Sequence, residues 1–227
     1  MSLQHKLACS LFGAAICSLA VVANAEESVG AIECGEIYDT GYYGPYDYTN
    51  YVHYTVNLPE VESHHFNESV ESLSGGLSSF KAINDLDYTL RTFPNHHRAL
   101  AAVSNYAVQV NFSDIEVMES GMPGIECYFK RAVEFKPDDS IVRLIYGSFL
   151  HRKGQYELAK LQYNKALEID PSSAEAHYNL GLYYHDRGNL SMAVQHGRKA
   201  YELGYPLQGL KNKLIKKGVW DKIVSQN

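Results

Sequence analysis

From Phe80 onward, apolar side chains recur at a spacing that predicts helices, and the pattern also repeats on a longer scale. Phe135-Lys136-Pro137-Asp138 and Ile169-Asp170-Pro171-Ser172 lie 34 residues apart. Small or aromatic residues share this spacing: Phe129 and Tyr163, Ala132 and Ala166, Gly147 and Gly181, Gly154 and Gly188, Ala159 and Ala193. A repeat of this length predicts helical hairpins stacked side by side.

A less regular unit precedes these repeats. Phe93-Pro94-Asn95 is a similar proline turn, and Asn95 is expected to cap the helix that follows. Pro94 and Pro137 are 43 residues apart, nine more than the regular period, so we expect a longer inter-helix loop near residues 109–124. The segment Phe80–Arg91 predicts a single helix before this turn.

A further helix is predicted after the repeats, over residues 207–222. Leu207, Leu210 and Leu214 form its apolar stripe, while several lysines form its outer face. Such a helix is typical of the polar cap that stacked repeats need for solubility. From Arg198 to Lys222 the chain has seven basic and two acidic residues, so this end either attracts a polyanion or anionic lipid, or is simply solvated.

The 34-residue unit resembles the tetratricopeptide repeat, a helix–turn–helix unit. The positions that carry the resemblance are Tyr146, Gly147, Leu150, Gly154, Ala159, Tyr163, Ala166, Leu180, Gly181, Tyr184, Gly188, Leu190, Ala193 and Ala200. Arg143 and His177 stand where the family favours Trp, and Gly197 replaces a large aromatic residue, so we expect looser packing of the last unit. The resemblance implies an all-α superhelix of about two and a half to three repeats over residues 80–206.

Residues 26–79 form a different, acidic arm. No Lys or Arg occurs between Glu26 and Phe80, whereas ten acidic residues do. Seven tyrosines between Tyr38 and Tyr54 are mixed with Gly, Pro, Asp and Asn, which predicts an irregular, extended segment that packs against the repeats. The sequences GPYDY, ESHHF and LDYTLRTFPNHHRAL are also similar to a group of small exported bacterial repeat proteins.

The first 25 residues have the form of a secretory signal peptide. A short positive start precedes an apolar run from Leu7 to Val22, and Ala23-Asn24-Ala25 is a cleavage site. We therefore expect an exported protein, most simply periplasmic, with no stable membrane insertion after cleavage. Cys34 and Cys127 would remain, and an oxidising compartment favours their pairing, although two reduced thiols are the alternative.

The remaining composition restricts the function. The chain of 227 residues has a formal net charge of −6 at pH 7, which argues against a nucleic-acid partner. No motif of a hydrolase or cofactor-dependent enzyme occurs, so neither catalysis nor a cofactor is predicted. The adjacent pairs His64-His65 and His96-His97 lack the usual spacing of zinc ligands. A structural role is the simpler interpretation, with His65 and His97 hydrogen-bonded where the arm docks.

The resemblance implies a concave groove lined by the first helix of each unit, which would bind a peptide or helix of another protein. The implied lining is Arg98, Asn105, Ile141, Leu144, Ile145, Ser148, His151, Tyr178, Asn179, Leu182 and His185. Some proteins of the family bind the C-terminal carboxylate of a partner peptide through set groove residues. Only Asn179 matches these residues. The arm is expected to fill part of this groove. The alternative function is a cell-envelope glycan-binding or metal-binding protein that uses the Tyr and His clusters.

Overall fold

The computed structural model describes residues 34, 43–73, 80–109, 111 and 124–222, and these residues contain helices but no strand. The predicted signal peptide, the start of the arm and most of the predicted loop at 109–124 lie outside this part of the chain. The helices are α1 Leu58–His65, α2 Glu68–Glu71, α3 Phe80–Thr92, α4 His97–Gln109, α5 Ile125–Phe135, α6 Ser140–Arg152, α7 Tyr156–Ile169, α8 Ala174–Asp186, α9 Leu190–Glu202 and α10 Gly209–Lys216. The predicted all-α class is confirmed.

Helix starts follow from local polar side chains. Asp139 accepts hydrogen bonds from the backbone N–H groups of Ile141 and Val142, and it thereby caps α6. Ser173 and Asn189 cap α8 and α9 in the same way. These caps satisfy donors that have no partner inside the helix, so local side chains determine where α6, α8 and α9 begin. Helix α7 begins without a side-chain cap.

The repeats are built from helical hairpins. Helix α6 packs on α7, and α8 packs on α9, while α4, α6, α8 and α10 contact one another in that order. Gly147 permits the close approach of the first hairpin, because a Cβ there would lie 2.5 Å from the ring of the buried Tyr163. The main core runs from α3 through α8. A second apolar cluster is formed by α8, α9 and α10.

Polar pairs occupy the positions at which the family favours Trp. The guanidinium of the buried Arg143 donates to Gln162 Oε1 at 3.0 Å. One repeat later, His177 Nδ1 lies 3.0 Å from His196 Nδ1. Both pairs join the first helix of a hairpin to the second, 19 residues along the chain. A hydrogen bond between the helices therefore stands where the family has apolar packing.

The last repeat is not loosely packed at Gly197, contrary to expectation. A Cβ at Gly197 would lie 3.2 Å from Leu210 and 3.3 Å from the Trp220 ring, so these two side chains fill the missing aromatic volume. Leu210 also sits against Gly181. The capping helix is shorter than predicted: α10 begins at Gly209, and Leu207 lies before it with 59% of its surface exposed.

The arm differs from the irregular segment that was expected, and that prediction is not confirmed. Residues 43–50 are irregular and include a turn at Tyr48 and Thr49, but a π-helical stretch, His53–Asn57, continues directly into α1, and α2 follows. Helix α1 packs on α3, and α2 packs on both α3 and α4. The third apolar cluster, around Leu58, Val61 and Phe93, joins the arm to the first proline turn.

Cys34 and Cys127 are bonded in the structure, with an S–S distance of 2.14 Å and Cα atoms 5.1 Å apart. The bond joins the arm to α5, the second helix of the irregular unit. Whether these thiols are paired in the protein in solution stays a prediction. Among the described helices, none combines the length and apolar character that a membrane crossing requires.

Candidate functional site

The first helices of successive units lie side by side, and the predicted lining residues Asn105 and His151 take part in contacts between them. Asn105 on α4 accepts a hydrogen bond from Arg152 on α6 at 3.1 Å. His151 on α6 lies 3.2 Å from a carboxylate oxygen of Asp186 on α8. These contacts join the first helices of neighbouring units. We call the surface of α4, α6 and α8 that carries these contacts the first-helix face.

The lining residues differ in how much surface they offer. Asn105 is exposed, and Ile141 is exposed by 38%. The partly buried residues are Ile145, Ser148, His151, Asn179, Leu182 and His185. Leu144 and Tyr178 are buried, with 2% and 8% of their surface exposed, and offer little to a partner. Leu144 belongs to the main core, and the Tyr178 ring stacks on Tyr205 at 4.2 Å.

The arm occupies one end of this face through Arg98. The Arg98 guanidinium forms ion pairs with Glu62 on α1, at 3.0 Å, and with Glu71 on α2. It also lies 5.1 Å from the ring centroid of Phe66. The hydrogen bond from Arg98 lowers the pKa of Glu71, although partial burial opposes it. Arg98 is therefore a contact of the arm rather than a free anchor for a partner.

Two histidines share one carboxylate in the middle of the face. His151 Nε2 and His185 Nδ1 lie 3.2 and 2.9 Å from different oxygens of Asp186. Burial lowers the pKa of His151, and Asp186 opposes this shift by favouring the charged imidazolium. The two histidines thus lie close to the same carboxylate, that of Asp186. The repeat pattern does not single out Asp186, because it carries no small or aromatic side chain.

A second cluster lies where the arm meets the proline turn between α3 and α4. The amide of the buried Asn95 donates to Asp47 at 2.8 Å and to Asp139 at 3.1 Å, while its carbonyl accepts from Tyr48 N at 2.9 Å. His97 Nε2 lies 2.8 Å from Asp139. Asn95 therefore does not cap the following helix as predicted, because its side chain is used to hold the arm and the next unit.

The backbone of the arm lies in direct contact with the same turn. Tyr46 N donates to Thr92 O at 2.7 Å. Gly44 has a φ of +121°, and a Cβ there would lie 2.7 Å from Thr92 O, so a side chain at this position would clash. Only glycine fits both the conformation and the contact.

His96 takes over the capping role. Its Nδ1 accepts from Ala99 N at 3.1 Å, and its Nε2 lies 3.0 Å from Glu62 Oε1. Because Nδ1 is an acceptor, the proton is on Nε2, which donates to Glu62. Complete burial lowers the pKa of His96 and keeps the ring neutral. The hydrogen bond from His96 in turn lowers the pKa of Glu62.

Asp139 connects this junction to the regular repeats. Although burial alone would raise its pKa, hydrogen bonds from His97, the backbone of Val142 and Asn95 lower it. One carboxylate thus holds the arm junction and caps α6 at the same time.

The histidine and tyrosine clusters are engaged within the protein. His65 pairs with Asp85 at 3.0 Å and packs on Tyr88 at 4.0 Å. The Tyr46 ring packs on Phe93, and the Tyr48 ring packs on His96 and His97. Within the part of the chain that the structure describes, no three His, Cys, Asp or Glu side chains converge as metal ligands.

Comparisons with known proteins agree with this architecture. A family model described as TPR repeat matches residues 147–188, and one described as tetratricopeptide repeat matches residues 174–203. The crystal structure of MamA is 18% identical with a TM-score of 0.43, over 64% of this chain and 83% of that chain. YrrB, described as a TPR protein with an unusual peptide-binding site, is 19% identical with a TM-score of 0.36, over 75% of this chain and 99% of that chain. No curated protein matches. Structural similarities of this size do not transfer the role of any residue.

Proposed function

Because tetratricopeptide-repeat family models match residues 147–203 of this chain, we propose that it is a non-catalytic scaffold that binds a segment of another protein along the first-helix face. The observation that supports this most is the order of α4, α6 and α8, because each of these first helices contacts the next one. Proteins of this family are typically non-catalytic, and their first helices commonly form such surfaces.

The chemistry of the face suggests the kind of segment it binds. Ile141, Ile145 and Leu182 offer apolar contacts, while the amide of Asn179 can donate to and accept from a peptide backbone. The arm already covers Arg98 at the end formed by α4. We therefore place the partner segment on α6 and α8, over the two regular repeats.

We also propose that the protein acts after export, in the periplasm or cell envelope. This proposal rests on the sequence of residues 1–25, which has the form of a cleavable signal peptide. The Cys34–Cys127 bond would suit an oxidising compartment. No specific observation favours glycan or metal binding, because His65, His96, His97, Tyr46 and Tyr48 already contact other parts of the protein.

Site-specific photo-crosslinking tests the proposed surface. A photoreactive amino acid is placed at Ile141, on the first-helix face, or at Asn164, which is exposed on the second helix α7. After illumination of intact cells, we expect a discrete protein adduct from position 141 and none from position 164. Equal adducts from both positions, or none from either, would contradict the proposal.

A second experiment tests the energetics with the partner that is identified. Ile141→Glu places a charge on the apolar part of the face, and Asn164→Glu adds the same charge elsewhere. We expect the first variant to weaken binding by about 10-fold or more and the second to leave it unchanged. Calorimetry with the purified partner measures both dissociation constants.

A further inference from the structure

The two ends of the repeat stack both expose apolar side chains. At the arm, Tyr51, Val52 and Val56 are exposed by 80%, 59% and 65%. At the other end, Leu207 and Ile215 are exposed by 59% and 49%. Terminal units of repeat proteins normally present a polar outer face, because an apolar end invites association. Both ends of this protein depart from that rule.

The two ends also carry opposite charge. Residues 43–73 contain five carboxylates and no Lys or Arg, whereas residues 207–222 contain five lysines and one aspartate. At the arm, Glu62 and Glu71 are paired with Arg98, while Glu60 and Glu68 are exposed. At the cap, Lys213, Lys216 and Lys217 are exposed, and Lys211 lies over the Trp220 ring. Each end thus combines exposed apolar side chains with charges that complement those of the other.

We propose that the arm end of one molecule binds the cap end of a second copy of this chain. In such a contact, the Tyr51–Val56 face would pack against Leu207 and Ile215, and the carboxylates of the arm would face the lysines of α10. An arm-to-arm or cap-to-cap contact would instead oppose charges of the same sign. The contact is heterologous, since it joins different surfaces of the two molecules, and each added molecule leaves one end of each kind exposed. The assembly therefore grows beyond a dimer, to a closed ring or to an open chain according to the rotation between neighbouring molecules.

This contact is separate from the proposed peptide site. The first-helix face belongs to α4, α6 and α8, whereas the end-to-end contact uses residues 51–60 and 207–217. A variant at either end therefore leaves the first-helix face intact. Loss of one interaction and retention of the other is a distinguishable result.

Sedimentation velocity of the processed protein over a concentration series tests the proposal. We expect the average mass to rise beyond that of a dimer with increasing concentration at low salt, and to fall toward the monomer in about 0.5 M NaCl, where charge pairs are screened. A monomer at all concentrations in low salt would overturn the proposal.

Matched variants identify the surfaces. Val52→Lys places an ammonium opposite the lysines of the cap, and Ile215→Glu places a carboxylate opposite the acidic arm. Each should weaken self-association by about 10-fold or more. Asn164→Lys and Asn164→Glu add the same charges on α7 and should leave self-association unchanged. Because Val52, Ile215 and Asn164 are all exposed, the variants should keep the wild-type circular dichroism spectrum.

Mixing the two end variants gives the sharpest result. The Val52→Lys protein keeps an intact cap, and the Ile215→Glu protein keeps an intact arm, so an equal mixture should form dimers and no larger species. If either variant alone still associates like the wild type, the contact is not end to end and the proposal fails.

Binding to lipid vesicles tests whether the cap end contacts a membrane instead of a second copy of this chain. Vesicles of 30% phosphatidylglycerol in phosphatidylcholine are sedimented with the wild type and the Ile215→Glu variant. If the wild type binds vesicles through Ile215 and stays monomeric in solution, the cap faces a membrane rather than a second copy, and the proposal is overturned. No difference between the two proteins, together with salt-sensitive assembly of the wild type, supports it.

Discussion

The arm junction and the regular repeats are held together by contacts of different range. In the repeats, the polar pairs Arg143–Gln162 and His177–His196 join residues 19 positions apart. At the arm junction, Tyr48 bonds to Asn95 across 47 positions, Asn95 bonds to Asp139 across 44, and Cys34 is joined to Cys127 across 93. Local contacts cost little chain entropy to form, whereas distant ones require the junction to assemble as a unit. Stability should therefore be lost first at the junction.

Reduction of the Cys34–Cys127 bond should have the largest effect on the stability of the arm junction relative to that of the regular repeats. By chain-entropy reasoning, a bond that spans 93 positions stabilises the folded state by up to about 5 kcal/mol. Urea unfolding with and without dithiothreitol measures the change, and hydrogen exchange locates it. We expect amides of α3 and α4 to lose protection before those of α6 to α9. Two maleimide-reactive thiols in the unreduced exported protein would contradict the pairing itself.

Asn95→Ala should lower the free energy of unfolding by about 3 kcal/mol, because the buried Asp139 and the half-buried Asp47 and Tyr48 would lose their hydrogen bonds. Asn84 is exposed on α3, so Asn84→Ala is the matched control and should change stability little. Thermal and urea unfolding measure both. A loss below about 1 kcal/mol for Asn95→Ala would show that the contacts of the junction do not form and break as one cooperative unit.

Gly147→Ala and Gly181→Ala compare two positions one repeat apart. At Gly147 the new Cβ would lie 2.5 Å from the buried Tyr163 ring, whereas at Gly181 it would meet the tip of Leu210 at 2.4 Å. A packed ring cannot move aside, but a leucine methyl can change rotamer. We expect losses of about 2 kcal/mol for Gly147→Ala and clearly less for Gly181→Ala. Equal losses in urea unfolding would show that the cap is packed as rigidly as the repeats.

Acid should weaken the regular repeats through His196. Burial, and then the neighbouring His177, lower the pKa of His196 from 6.5 to about 4. The unfolded state therefore binds more protons between these values, and stability present above pH 6.5 is lost as pH falls toward 4. We expect His196 to contribute about 1–2 kcal/mol to this loss, discounted for its partial exposure. His196→Gln should flatten the pH profile, and His64→Gln, on an exposed side chain, should not.

The repeats could be predicted from the sequence because each hairpin packs against its neighbours, which repeats the same small and aromatic residues every 34 positions. The first-helix face followed from the same spacing, and His151 and His185 do lie together. Burial of Leu144 and Tyr178 did not follow, since it depends on the packing of the core and on Tyr205.

The arm junction could not be predicted in this way. The partners that Asn95, His96 and Asp139 have across the junction lie 34 to 48 positions away and recur with no period. Asn95 has the form of a helix cap, yet its neighbour His96 provides that hydrogen bond, because burial against the arm gives the amide three other partners. Local preference predicted a cap, and tertiary contacts decided which residue supplies it.

Asp139 limits how this protein can be lengthened. Repeat arrays are commonly extended by copying a unit, and the turn at Asp170–Ser173 would accept such an insertion, because Ser173 serves only its own helix. An inserted unit between α5 and α6 would separate Asp139 from Asn95 and His97 while leaving it at the start of α6. Growth of the array by duplication is thus open on the C-terminal side of α6 and closed on the N-terminal side.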